Sequence, residues 1–189
     1  MRIALMAMAT AVFLTACGSS TLPKAAAPAA SPVSTTSTAK QAVVNLASAS
    51  GSLVSGKITA MPMTGGVHLT GTVGGLPPNS THGFHVHEKG DCSAADASSA
   101  GPHFNPLAAA HGKAESGAHH AGDMDNVVAN AEGIVTVNVH VTGVTLGGGA
   151  ANDIAGRALV VHAAADDYTS QPAGNAGARV ACGVIKVTQ

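Results

Sequence analysis

The chain has 189 residues, with nine Lys and Arg against ten Asp and Glu and a formal net charge of −1 when histidine is neutral. It has no tryptophan, one tyrosine and three phenylalanines, yet ten histidines. That balance leaves no basic stripe for nucleic acid, so nucleic-acid binding is excluded on charge, and the length suits one domain with a proper core.

Met1 to Ala16, MRIALMAMATAVFLTA, sets one positive charge at Arg2 before an unbroken apolar or small run. The run is short for a bilayer span and reads as a secretory signal peptide. It continues into LTAC, Leu14 to Cys17, which resembles the bacterial lipobox. The lipobox implies cleavage before Cys17 and a lipid on that cysteine; an ordinary signal peptide cleaved nearby is the other reading. From Gly18 to Lys40 small residues, Ser, Thr and Pro dominate, without apolar periodicity. Such a segment buries too little surface to offset the entropy of ordering it, so residues 17–40 are expected to form a disordered tether. A lipid on Cys17 would hold the protein to a membrane, exported to the periplasmic side of a bacterial cell.

Residues 41–189 form the expected domain. Its core must come from Val, Leu, Ile and Ala, because Phe84, Phe104 and Tyr168 are its only aromatics. Strand signals recur in order: QAVVNLASA, LVSGKITAM, VHLTGTVGGL, THGFHVH, NVVANAEG, IVTVNVHVTGVTL, RALVVHAAA and RVACGVIKV. Gly- and Pro-rich turns separate them, and no window offers a convincing amphipathic helix. The pattern predicts an all-β sandwich or barrel. Two long segments, 88–125 and 164–178, lack strand character, and long loops in a compact domain are usually functional.

THGFHVH places His85 and His87 on one face of a strand, with Phe84 and Val86 on the other. Alone, the pair reads first as outward polar residues of a half-buried strand, with ligands of one ion as the other reading. Seven of the ten histidines fall between His82 and His120. Within the first long loop, His103, His111, His120 and Asp123 offer three imidazoles and a carboxylate, the closed set a structural zinc ion takes. His85, His87 and His162 supply a second imidazole set, which suits copper. Setting Cys17 aside leaves Cys92 and Cys182, an even pair that reads as a disulfide in an exported protein. Closing a loop of about ninety residues stabilises by roughly 4–5 kcal/mol in the chain-entropy account.

The motifs GFHVH (83–87), AGPHFNP (100–106), HG (111–112), HAGD (120–123), GRALVVHAAADD (156–167) and GNAGARVACGVI (174–185) resemble the copper/zinc superoxide dismutase family. Its bacterial, exported branch is the most similar, given HEKGDC (87–92). The resemblance implies a Greek-key, immunoglobulin-like β-sandwich with two functional loops, binding one copper and one zinc per chain. It implies dismutation of superoxide to oxygen and hydrogen peroxide, with copper on His85, His87, His103 and His162. Zinc is implied on His103, His111, His120 and Asp123, so that His103 bridges the two ions. Asp166 is implied to support ligands of both metals, Arg179 to hold substrate above copper, and Cys92–Cys182 to fasten the loop near that arginine. His82 is expected to be structural, and His68, His119 and His140 to lie at the surface. The sequence lacks the Lys and Glu cluster that guides substrate in the eukaryotic branch, which leaves Lys89 and Lys113 as candidate steering charges. Monomer and homodimer both stay open.

Overall fold

A computed structural model describes residues 32–189. Ten strands form: β1 (Ala42–Ser48), β2 (Ser55–Met63), β3 (Gly66–Gly74), β4 (Thr81–His82), β5 (Phe84–His87), β6 (Val127–Val128), β7 (Val135–Thr142), β8 (Ala158–His162), β9 (Arg179–Val184) and β10 (Lys186–Val187). One 3-10 turn spans Ser98–Ala100, and no α-helix occurs among the described residues. The main sheet runs β5-β8-β9-β1-β2-β3-β7, with β10 also on β1, and β4 pairs β6 in a small second sheet. Its paired strands are antiparallel. The chain leaves β3 to build β5 at the far end, returns to lay β7 beside β3, then crosses again to insert β8 between β5 and β9. This is the expected all-β Greek-key fold.

Period-2 patterning explains the curled sheet. Along β7, Val135, Val137 and Val141 point inward and are buried, while Thr136, Asn138 and His140 are exposed. Ile58, Leu69, Phe84, Leu146, Ile154, Leu159 and Ile185 fill the interior, so branched aliphatics do the work that aromatics do elsewhere. Strands β5 and β8 break the alternation, because every residue in them is buried. Phe84, Val86, Leu159 and Val161 enter the core. His85 and His87 point away from it and are still covered, because the two long loops fold over that face.

Residues 32–40, expected from composition to belong to a disordered tether, are bonded to the barrel: Thr38 N and Ala39 N donate to Leu146 O at 3.1 and 3.0 Å, and Leu146 N donates to Ser37 Oγ at 2.9 Å. Buried Asn152 accepts from Ser34 N at 2.9 Å and donates to Ser34 O and Gly143 O, each at 2.7 Å. Composition weighs only apolar burial; here a buried side-chain amide needs partners, and this backbone supplies them. The signal peptide, the lipobox and Cys17 lie outside the described residues.

Candidate metal centre

Seven histidines and aspartates from distant parts of the chain converge in two groups that share one member. Ligating atoms of His85, His87, His103 and His162 all lie within 4.8 Å of one another, as do those of His103, His111, His120 and Asp123. All are buried. β5 carries His85 and His87, the end of β8 carries His162, and the first long loop brings the rest. An isolated bridge between His87 and His103 draws that loop onto β5.

Four of the six rings are held by the nitrogen that faces away from the group. His87 Nδ1 donates to Gly101 O at 2.8 Å and His162 Nδ1 to Gly177 O at 3.3 Å. His85 Nε2 donates to Asp166 Oδ2 at 2.8 Å, and His111 Nε2 to Asp166 Oδ1 at 3.0 Å. One carboxylate thus orients a ring in each group, the usual support of metal-ligating histidines. Gly174 makes this packing feasible. Its φ is +66°, and a β-carbon there would overlap Asp166 Oδ1 and sit 2.6 Å from His111 Nε2.

The inner nitrogens lack partners. His85 Nδ1, His103 Nε2, His111 Nδ1 and His120 Nδ1 are buried without a hydrogen bond, and leaving such a group unmet costs about 1–3 kcal/mol. His87 Nε2 and His162 Nε2 face each other at 3.3 Å, although each ring already donates through Nδ1, so two lone pairs meet. His111 Nδ1 and His120 Nδ1 lie 3.0 and 3.3 Å from Asp123 oxygens but miss hydrogen-bond geometry, aiming instead at a common point. Four ligands about 2.0 Å from one tetrahedral ion stand about 3.3 Å apart. The donor sets therefore fit two cations, an all-imidazole set for one and three imidazoles with a carboxylate for the other.

Electrostatics agree. Burial pushes the imidazoles of His85, His162 and His87 down to about 4, 3 and 2, so their lone pairs stay free at neutral pH. Burial also lowers His120. Burial raises Asp123, but hydrogen bonds from His103 Nδ1 at 2.7 Å and from the His120 and Gly112 amides outweigh it and hold the carboxylate ionised.

The two groups differ in access. A groove of about 800 Å³ is lined by His87, His103 and His162 of the first group, by His120 of the second and by Arg179, whereas His85, His111 and Asp123 do not line it. Arg179 donates from Nη1 to Ala97 O and from Nη2 to Gly101 O, each at 2.7 Å. Both acceptors belong to the loop that the Cys92–Cys182 disulfide fastens to β9, with a Cα–Cα distance of 5.8 Å. The resemblance implied this arrangement, and the disulfide is present.

Other placements were less legible. His82 is buried, donating from Nδ1 to His162 O at 2.8 Å with Ser80 Oγ 2.6 Å from Nε2, as a structural residue should. Neither Lys89 nor Lys113 lines the groove. The Lys89 stem runs along Gly101, and Lys113 Nζ stands 5.6 Å from the Tyr168 ring centroid. The groove's second cation is Arg157, which sequence reasoning passed over. It stacks on Phe104 at 3.8 Å and donates to Asp153 O at 2.8 Å and Glu88 O at 2.6 Å. Asn126 and Gln171 were also missed. Asn126 pairs both ways with the Asp166 backbone at 2.8 Å, and Gln171 does the same for His111 at 2.9 Å. Only the arginine in GRALVVH, directly before a histidine-bearing strand, offered a sequence signal.

Comparison with known proteins covers the same stretch of chain. The family model for copper/zinc superoxide dismutase (SODC) matches residues 54–185. "Superoxide dismutase [Cu-Zn] 2" of Aquifex aeolicus (strain VF5) is 44% identical over 136 residues, covering 70% of this chain and 80% of that protein. "Superoxide dismutase [Cu-Zn] 1" of the same organism is 44% identical over 134 residues, 69% of this chain and 79% of the relative. "Superoxide dismutase [Cu-Zn] 2" of Mesembryanthemum crystallinum is 47% identical over 128 residues, 65% of this chain and 80% of the relative. Matched over that span and at that identity, the chain belongs to the copper/zinc superoxide dismutase family.

Proposed function

We propose that this copper/zinc superoxide dismutase turns two superoxide ions and two protons into oxygen and hydrogen peroxide in the groove over His87, His103 and His162. In this reading His85, His87, His103 and His162 hold copper, and His103, His111, His120 and Asp123 hold zinc. The observation that carries it is His103: Nδ1 contacts Asp123 at 2.7 Å while Nε2 is buried and unpartnered on the copper side.

When bound, copper supplies a one-electron acceptor and donor, and zinc a fixed positive charge. The side chains do the rest. His103 Nε2 holds a proton in one half of the reaction and returns it to the departing peroxide in the other; the second proton comes from solvent in the groove. Engagement of Nδ1 on the zinc side keeps the ring from swinging. Arg179 is held by two carbonyls, so its remaining N–H groups present a fixed fork to a small anion, which a flexible ammonium cannot do. Asp166 keeps His85 and His111 in the tautomers that leave Nδ1 free.

The work is done outside the cytoplasm, with the protein tethered by a lipid on Cys17. Support comes from the signal-like residues 1–16 and the LTAC ending. Superoxide, an anion, crosses bilayers poorly, so the protein meets superoxide formed on its own side. Assay of metal-loaded protein beside a copper-free control tests the chemistry: activity is expected only with copper, and equal rates overturn the assignment. Fractionation tests the tether: Cys17→Ser is expected to move the protein from membrane to soluble fraction, and an unchanged distribution rejects the lipid.

A further inference from the structure

The outer face of the barrel gathers soft donor atoms that the metal centre does not use. Met61 opposes His68, and His68 opposes His140, so one row crosses β2, β3 and β7. Directly opposed residues of antiparallel strands share a face, with β-carbons about 4.5–5.5 Å apart. That face points to solvent: Val67, Leu69 and Val141 point inward and are buried, while Met61 and Met63 are 51% and 46% exposed.

Met63 joins the row through a gap. It opposes Gly66, and a β-carbon on Gly66 would lie 2.9 Å from His140 Nε2. The His140 ring therefore leans over the glycine toward the methionine's position. His68 Nε2 donates to Asn138 Oδ1 at 2.6 Å, which leaves Nδ1 with its lone pair, as a second acceptor does for ligating histidines. Exposed methionine gains nothing from burial here. Of the domain's three methionines, only Met124 is in the core, and the other two flank one proline in MPM.

We infer that Met61, Met63, His68 and His140 form a surface site for one cuprous ion. Thioether and imidazole donors select soft Cu(I), whereas hard divalent ions want oxygen anions. The flanking positions Thr59, Thr70, Asn138 and Thr142 offer no carboxylate. β2, β3 and β7 lie at the opposite end of the sheet order from β5 and β8, so this site is separate from the paired centre and does not depend on its ligand assignment.

The test uses the full chain loaded with copper and zinc and reduced with ascorbate, titrated anaerobically with Cu(I) against a chromogenic Cu(I) chelator. One further equivalent should bind. Met61→Leu/Met63→Leu and His68→Gln/His140→Gln should each weaken it at least tenfold, with dismutase rate and melting temperature unchanged. X-ray absorption on the added equivalent should show sulfur neighbours, lost in the methionine variant. Undiminished Cu(I) uptake in that variant, or Zn(II) binding as tight as Cu(I), overturns the site.

Discussion

His87 and Arg179 hang from the same carbonyl. Gly101 O accepts from His87 Nδ1 at 2.8 Å and from Arg179 Nη2 at 2.7 Å. Ring and guanidinium are thereby fixed relative to each other, although β5 and β9 are separated by β8 in the sheet. A small anion held by Arg179, in the role proposed for it, would meet the imidazole group at one set distance, without a hinge.

Replacing that arginine should separate binding of metal from turnover. Arg179→Ala is expected to keep both metals and lose on the order of a hundredfold in rate, the scale of one preorganised donor at a reacting anion. Arg179→Lys should recover little, because the fork is lost. Metal analysis beside the assay checks this; an Arg179→Ala protein stripped of copper would show the residue to be a support for the ligands.

Asp166 and Gly174 should fail together. Asp166→Ala removes both acceptor oxygens, the one for His85 and the one for His111, and loss of such support costs 10–100-fold in metal affinity. Gly174→Ala forces a methyl onto the same carboxylate at a positive φ, so it should lower affinity at both sites. Chelator competition, copper and zinc read separately, is the measurement. Loss of one metal alone would show that the carboxylate serves a single group.

Charge at the groove should be divided unequally. Lys89→Ala/Lys113→Ala is expected to lower the rate at low salt and flatten its salt dependence. Most of that should come from Lys89, whose stem runs beside Gly101, and little from Lys113 above Tyr168. A salt profile identical to the parent removes both lysines from steering. Arg157→Ala should additionally cost about 1–3 kcal/mol of stability, from a stacked cation and two hydrogen bonds, read by chemical denaturation.

Acid should unfold the metal-free protein early. Burial lowers His85, His162 and His87 to about 4, 3 and 2 in the folded state, against about 6.5 unfolded. The unfolded chain therefore takes protons first, so stability falls as pH drops below about 6.5 and goes on falling toward those values. Each histidine contributes about 1.4 kcal/mol per pH unit. His111, raised by Asp166 and Asp123 against the effect of burial, works the other way. Denaturation midpoints at pH 7.5, 6 and 5 should decline steeply between the last two, and a flat series contradicts the buried neutral rings.

The fold was legible because Val alternates with polar Thr, Asn and His along β7 and because turn residues separate the strands. The centre was legible because histidines cluster in the chain and the motifs around them resemble those of a known family. Strand periodicity alone left His85 and His87 ambiguous, because it gives a side and not what lies over it; the family resemblance of the surrounding motifs implied their role, and the covering loops explain their burial. Arg157 offered only its place directly before a histidine-bearing strand. Asn126 and Gln171 escaped because they act on backbone N–H and C=O groups, which have no sequence signature. The docking of residues 32–40 escaped for the same reason, resting on Asn152 and main-chain groups.

That docking changes a length. An acyl anchor on Cys17 with slack up to Lys40 would let the barrel range about 80 Å from the bilayer, at roughly 3.5 Å per extended residue. With the chain held at residues 32–34, the free length of the proposed lipid tether would end there and the radius would shrink to about 50 Å. On that proposal the enzyme would stay in a thin shell above the lipid surface, and Asn152, through its hydrogen bonds to Ser34, would set the depth.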